Sequence, residues 1–502
     1  MRLLCLATLA MLLSGCDWIG LASVSSTGEL SNGDSETMSL SGDGRYVAFD
    51  STASNLVPND TNASVDIFVR DLSEGVTTRV SLTSAGGQAN YHSSNPAISA
   101  DGRFVAFQSK ATNLVANVTN NETDIFVHDR VTGITTRVSV DSAGNEGNSY
   151  SVLPSISTNG RYVAFESEAS NLVSDDTNNR RDVFVHDRNT GITTRVSADV
   201  PQMYSDSGGN NSKISANGQF VVFGKSGTGV FVHNRISGTT TRASVDSAGN
   251  PSHGMRPSIS ADGRYVSFQS GASDLVAGDT NSQDDIFVHD RDTGNTTLAS
   301  VSSAGIQANG RSEWSAISGD GRYVVFGSWA SNLVASDTNA AFDIFVHDRT
   351  TGTTLRSSLG AFGAQADRSS DEVAVSGDGR YAAFASWASN LAAGDDNGDR
   401  DVFVKAIPHL TVSSVLPKML PRGSTTQIVV RGKDFLPGTI LQVDGATVSN
   451  LIVWNENVIS ANVTVKPSQP SGAHNIKVLL PGTGAGVNTG SMGLCAYCVT
   501  YF

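Results

Sequence analysis

Residues 99–107 read SADGRFVAF, and the phrase returns as SGDGRYVAF at 41–49, STNGRYVAF at 157–165, SANGQFVVF at 215–223, SADGRYVSF at 260–268, SGDGRYVVF at 318–326 and SGDGRYAAF at 376–384. The turn residue (Asp43, Asp101, Asn159, Asn217, Asp262, Asp320, Asp378) advances by 58, 58, 58, 45, 58 and 58 positions. A near-constant period of this length marks tandem structural units. Each unit parses into four strands. An apolar stretch such as Pro96-Ala97-Ile98-Ser99 runs into an Asp-Gly or Asn-Gly pair. Glycine tolerates positive φ there, so a two-residue type I′ hairpin is expected. The YVAF run is the second strand. A polar loop precedes the third, as in Asp124–His128, and an Asp-Arg-x-Thr-Gly turn leads to the fourth, as in Thr135–Ser139. Four antiparallel strands in roughly 40–60 residues make one blade of a β-propeller.

The chain ends agree with a closed ring. The seventh copy stops after its third strand, at Asp401-Val402-Phe403-Val404. The sequence ASVSSTG at 22–28 matches ASVSSAG at 299–305, the fourth strand of another unit, in the same phase relative to the next hairpin. The N-terminal segment is therefore expected to complete the last blade and remove the exposed sheet edges. The expectation is an all-β chain: a seven-bladed propeller over 22–407, closed by an N-terminal strand and followed by a smaller β-sandwich.

Composition narrows the function. Lys plus Arg number 34 against 48 Asp plus Glu, a formal charge of −14, which disfavours nucleic-acid phosphates as a partner. Charged residues are only 16% and Gly numbers 50, a composition of short strands and tight turns rather than disorder or helical arrays.

Residues 1–15 have one Arg before a short apolar run and lead to Leu13-Ser14-Gly15-Cys16. The run is too short for a permanent membrane span. It resembles the lipobox of bacterial lipoproteins, which implies that Cys16 is lipidated, that 16–21 is a linker, and that the chain is exported and held by its acyl anchor on the periplasmic side. Inner and outer membrane both stay open.

Between the second and third strands a frame of Asp-x-Asn-x-x-x-Asp recurs. Its oxygen-bearing residues are Asp60, Asn62 and Asp66; Asn120 and Asp124; Asp176, Asn178 and Asp182; Asp279, Asn281 and Asp285; Asp337, Asn339 and Asp343; and Asp395, Asn397, Asp399 and Asp401. Such side chains can converge on a hard cation, so calcium is a candidate cofactor, weakest at the second loop, where Val118 replaces the first Asp. The competing reading is turn chemistry alone, since Asp and Asn cap tight turns through nearby amides. The fourth unit replaces the loop with Gly224–Gly229, which explains the step of 45. These loops share a face with the blade-to-blade connections, and that face is expected to meet the partner.

Other residues read as structural. His128, His186, His233, His289 and His347 occupy one repeat position, which suits a shared blade role better than catalysis. Asp129, Asp187, Asp290 and Asp348 are expected to fix the following turn, and Trp329 and Trp387 to pack between blades. Gly224-Lys225-Ser226 lacks the upstream glycine of a phosphate loop, and no G-x-S-x-G or H-E-x-x-H occurs.

The S-x-D-G-R-Y-V-A-F phrase with DIFVHDR resembles TolB-like propeller repeats over roughly 22–406. The resemblance implies an envelope scaffold that binds proteins or peptides. After Val404, strands alternate with Pro-Gly turns over 408–486; the pattern IVVRGKDF and then VDG resembles the IPT/TIG immunoglobulin-like domains, which implies a spacer or adhesion module. Residues 487–502 read as a Gly-rich tail carrying Cys495 and Cys498, a disulfide candidate in an exported protein. The expected protein is a monomeric, non-catalytic envelope scaffold for a protein, peptide or glycan, touching the membrane only through its lipid. The alternative is a propeller hydrolase or lyase with its site at the channel mouth. Unique polar residues clustered at the channel would favour the enzyme, and repeat-shared residues the scaffold.

Overall fold

The computed structural model describes residues 19–178, 180–198, 211–225, 227–360, 363–408, 411–433, 435, 439–455, 457–479 and 492–502. Cys16 and the segment before it lie outside these residues. Among the described residues the strands make nine four-stranded sheets, seven of them from the repeats.

The second unit shows how the sequence builds each repeat sheet. Strands Ser93–Ile98, Phe104–Ser109, Asp124–Asp129 and Ile134–Arg137 hydrogen-bond in chain order. Successive strand side chains point to opposite faces, and the middle strands are buried on both. Phe107 and Phe126 face each other across the pair with ring centroids 6.0 Å apart. Both pack with Ala48, Ile67 and Val69 of the preceding sheet. The apolar core therefore lies between successive sheets, and the Phe pair recurs in every unit, for example Phe49–Phe68 and Phe384–Phe403. Each such buried ring contributes about 1.5–3 kcal/mol relative to exposure.

The hairpin differs from the type I′ expectation. Gly102 has φ +71°, whereas Asp101 has no positive φ, and the Gly102 N–H donates to the Ser99 carbonyl (2.9 Å). The turn is a right-handed one closed by a left-handed glycine. Asp101 is held there because its Oδ1 accepts from the Ser99 hydroxyl (2.6 Å) and the Arg103 N–H (3.0 Å). A Cβ on Gly102 would lie 2.1 Å from Cδ2 of Tyr46, so the glycine also lets adjacent sheets approach.

These turns link into a circle. Backbone N–H groups of Gly42, Ala100, Thr158, Ala216, Ala261 and Gly319 donate to the carbonyls of Ala100, Thr158, Ala216, Ala261, Gly319 and Gly377, and Asp378 N–H returns to the Gly42 carbonyl. The seam is sealed by strand Ile19–Leu21, which pairs antiparallel with Asp401–Ala406 through Ile19↔Lys405, Gly20↔Val404 and Leu21↔Phe403.

The sealing strand thus precedes the expected one and falls in the 16–21 stretch expected to be a linker. The expected phase holds: Leu21 pairs with Phe403 as Leu298 pairs with Phe287. The matched peptide is the exit from that strand in both places, with Val24 bridging Leu30 as Val301 bridges Gln307. The repeated Ala-Ser-Val-Ser is shared because Ser23 and Ser300 hydroxyls clip the third strand's Asp401 and Asp285 (both 2.5 Å), not because it lies in the ladder.

The last two sheets pair strands 411–416, Thr425–Lys433, Val458–Val465 and Ala446–Asn455, and strands Met419–Leu420, 492–501, 472–479 and Ile440–Val443. Ile428, Val430, Ile459, Val463, Ile476, Val478 and Val499 form their common core. Residues 492–501 are a sandwich strand and not a tail, because Val499 and Tyr501 are needed to fill that core. Cys498 is disulfide-bonded; the Cys495 side chain lies outside the described residues.

Candidate functional site

The Asp-x-Asn-x-x-x-Asp loops lie beside the start of the next sheet's first strand, as the Ser93 N–H bond to the Val65 carbonyl shows (2.8 Å). In four of the six loops the carboxylates already hold a cation from the chain. Nη1 of Arg79 lies 3.0 Å from Asp60 Oδ1 and 3.2 Å from Asp66 Oδ2. Arg195 meets Asp176 (3.0 Å) and Asp182 (3.6 Å), and Arg356 meets Asp337 (3.0 Å) and Asp343 (3.1 Å). In the second loop, with no first Asp, Glu146 and Asp124 flank Arg137. In the sheet ending at Leu298, the Gln307 amide nitrogen spans Asp279 (2.6 Å) and Asp285 (3.0 Å). The Asn side chain bonds the second Asp, as Asn62 to Asp66 (2.9 Å), Asn178 to Asp182 (2.6 Å), Asn281 to Asp285 (2.7 Å) and Asn397 to Asp401 (3.1 Å). Asn120 and Asn339 instead bond the carbonyls of Gly147 and Ala366. Burial raises the carboxyl pKa of Asp60, Asp176, Asp285 and Asp337, and raises Asp124 to about 6. Asp399 is raised by burial and by Asp34. Among the described residues no group of three or more His, Cys, Asp or Glu is placed to hold a metal ion.

The histidines are blade furniture. Nδ1 of His186 lies 2.9 Å from the Thr193 hydroxyl, which donates to the Val140 carbonyl (2.5 Å) of the neighbouring sheet. With that hydroxyl's proton committed, the ring nitrogen is the donor. Asp187 accepts the next turn's Asn189 N–H (3.0 Å) and also pairs with the hairpin Arg161 (2.7 Å). Trp329 and Trp387 depart from expectation: they are 48% and 37% exposed on the loop-bearing face. They follow the second strand where the chain has already left the inter-sheet core. Trp329 rests on Phe342 (5.5 Å), which in turn meets Trp314 edge-on (5.5 Å).

The central channel is built differently from everything around it. A cavity of about 130 Å³ is lined by the first strand of all seven repeat sheets. At one repeat position of that strand stand Thr37, Asn95, Leu153, Asn211, Arg256, Trp314 and Glu372. Five of them have left-handed backbone: Asn95 (φ 54°), Leu153 (56°), Arg256 (50°), Trp314 (46°) and Glu372 (45°). The ladder slips there, as between Ser94 and Ala97 or Glu313 and Ser315. Bulges re-aim a side chain, and left-handed non-glycine residues cost of order 1–3 kcal/mol each, so the surrounding ring must enforce them. Side chains of the preceding sheet do so: Asp50 accepts the Asn95 N–H (3.0 Å), and Gln108 the Leu153 N–H (3.0 Å).

The channel is also charged. Arg256 pairs with Glu313 (2.9 Å) and lies 5.1 Å over the Trp314 ring. Glu166 is fully buried; burial lifts its pKa to about 7, opposed by Arg181, 3.6 Å away. The Lys213 side chain reaches water inside the channel, yet blades ring it on all sides, and desolvation lowers its pKa against the pull of Glu372 and Glu166. Glu372 is raised by burial first. Sequence reasoning missed this set. Its signal was a first-strand position at which seven otherwise similar units carry six different residue types.

No curated protein matches the sequence. An oligogalacturonate lyase from Vibrio parahaemolyticus superposes with TM-score 0.47 at 12% identity, covering 78% of this chain and 97% of the lyase. A structure assigned as TolB from Agrobacterium tumefaciens gives TM-score 0.32 at 14% identity, over 74% of this chain and 90% of that one. The IPT/TIG domain family matches residues 410–494, which include most of the sandwich strands above. The chain therefore carries an IPT/TIG domain at 410–494 behind a propeller-like ring of four-stranded sheets.

Proposed function

We propose that this protein is an exported lipoprotein scaffold, anchored through Cys16, whose closed seven-bladed propeller binds an envelope protein, peptide or glycan at the channel mouth. The observation that carries a site at the channel mouth is the ring of seven residues of six types at one repeat position, five of them in strained backbone; such unique residues also meet the condition set above for the enzyme. Strain held in place at a concave, polar opening is the mark of a binding site. The exposed Trp329, joined through Phe342 to Trp314, extends the site from channel to face. The IPT/TIG domain serves as a spacer or adhesion unit.

Photocrosslinking in cells tests this. A crosslinker at position 95 should capture a discrete envelope product that vanishes when Trp314→Ala and Glu372→Gln are combined. A crosslinker at position 131, 74% exposed on a turn of the opposite face, should not capture it. Equal capture from both positions would refute the assignment.

The second reading, a hydrolase or lyase, draws support from the same asymmetry. Glu372 and Lys213 line the cavity with shifted protonation, and Glu166 stands behind the lining, where its Oε1 accepts the Ser212 N–H; shifted groups in one opening are the situation expected of acid–base residues. Turnover of the captured ligand, abolished by Glu372→Gln with capture retained, would select it.

A further inference from the structure

The loop frame of the sheet that seals the ring has lost its internal cation. Register places Leu21 opposite Phe403 where Arg79 stands opposite Phe68, and Leu30 bridges Val24 where Gln88 bridges Leu82. Neither leucine can donate to a carboxylate. The loop itself keeps the conformation of the others: Gly394 (φ 84°) and Gly398 (φ 77°) repeat the left-handed positions of Asn59 (59°) and Ala63 (50°).

Asp401 is fully buried, and its Oδ1 accepts from Ser23 (2.5 Å) and Ser31 (2.8 Å). Asp395 is 6% exposed, and no described group donates to its carboxylate. The charged groups acting on it are Asp401, Asp367 and Asp396, all of its own sign, and together with burial they push its pKa to about 7. Elsewhere the guanidinium also takes the carbonyl before the first Asp position, as Arg195 takes that of Asp175 (2.9 Å); the equivalent here is Gly394. Two carboxylates and a carbonyl thus surround a position that four sheets fill with arginine and a fifth with an amide.

We propose that the ring-closing sheet, alone among the repeats, binds one external calcium ion between Asp395 and Asp401, in the place arginine occupies elsewhere. Hard oxygen donors at a site set by a larger guanidinium suit calcium over magnesium, which demands tight octahedral geometry. The ion would join the two chain ends, since Asp401 is clipped to Ser23 and Ser31 of the N-terminal segment. This is independent of what the channel binds.

The test uses the full chain in detergent at pH 7.5. Calcium, at a hundredfold excess over its Kd, should raise the Tm by about 3 °C after EDTA treatment. Leu21→Arg supplies the missing guanidinium and should abolish that response. Asp395→Asn should abolish it too, should the arginine fail to fold. Equilibrium dialysis of calcium alone should show one ion per wild-type chain and none for Asp395→Asn. No bound calcium, more than one site, or a calcium response surviving in Asp395→Asn would overturn the proposal.

Discussion

Removing Arg356 tests whether the loop carboxylates depend on their internal cation. Its side chain is 3% exposed, Asp337 6% and Asp343 1%, with the bridging nitrogen 3.0 and 3.1 Å from the two oxygens. Burial this complete leaves no solvent screening to discount. Arg356→Leu keeps the stem packed and strands two carboxylates, and breaking one side of a buried pair costs about 3–5 kcal/mol. Unfolding entropy near 2.1 cal/mol/K per residue gives about 0.8 kcal/mol/K for a propeller of about 390 residues, so the Tm should fall by about 4–6 °C. Differential scanning calorimetry at pH 7.5 reads this directly. Burial already raises Asp337 and Arg356 opposes that rise, so in the variant the folded pKa of Asp337 stands further above the unfolded one, and its protonated form is stabilising below the unfolded pKa with that benefit lost as pH rises. The gap to wild type should therefore narrow at pH 4.5. A Tm within 1 °C of wild type at pH 7.5, or a gap that widens on acidification, would refute the reasoning.

The buried histidines make a second acid limb. Burial lowers His347 from 6.5 to about 4, so its neutral form supports the fold above pH 6.5 and the contribution is lost as pH falls toward 4. That amounts to about 3 kcal/mol at the low end by 1.36 kcal/mol per unit, and His347→Gln should flatten the acid side of the stability profile. Glu166→Gln removes a carboxylate whose Oε2 has no hydrogen-bond partner, and chemical denaturation at pH 8.5 should show the variant at least as stable as wild type. Gly102→Ala would drive a Cβ against Tyr46 at positive φ, and urea titration should show a loss of about 2–4 kcal/mol. Trp387→Ala, at an exposed position, should leave the Tm within about 1 °C while weakening capture from position 95.

The fold was legible because repetition turns one sequence into its own comparison. The hairpin phrase sets the period, and Leu21 stands where Leu298 does, so closure could be phased from the repeat spacing alone. What failed was local. The matched serines mark a side-chain clip rather than a ladder, and periodicity cannot tell those apart. An Asp-Gly pair between two strands suggests a mirror-image turn, though here the serine–aspartate hydrogen bond selects the ordinary one. The loops drew attention because they repeat, and in four of the six that repetition reflects arginine-neutralised packing. The channel mouth was anticipated but its residues were not, for the opposite reason: Asn95, Arg256 and Glu372 share a place but no chemistry, so no motif joins them. Cys495 and Cys498 looked terminal because a Gly-rich stretch separates them from the sandwich they complete.

The seam has a consequence for biosynthesis. Ile19 leaves the ribosome first, and its partner Lys405 is made 386 residues later. At roughly 5–20 residues per second, the leading strand waits about 20–80 s with its hydrogen-bonding edge open. Only three residues long and interrupted by Gly20, it offers nascent chains nearby too short a template to capture, so brevity at the join protects the protein during its slowest moment.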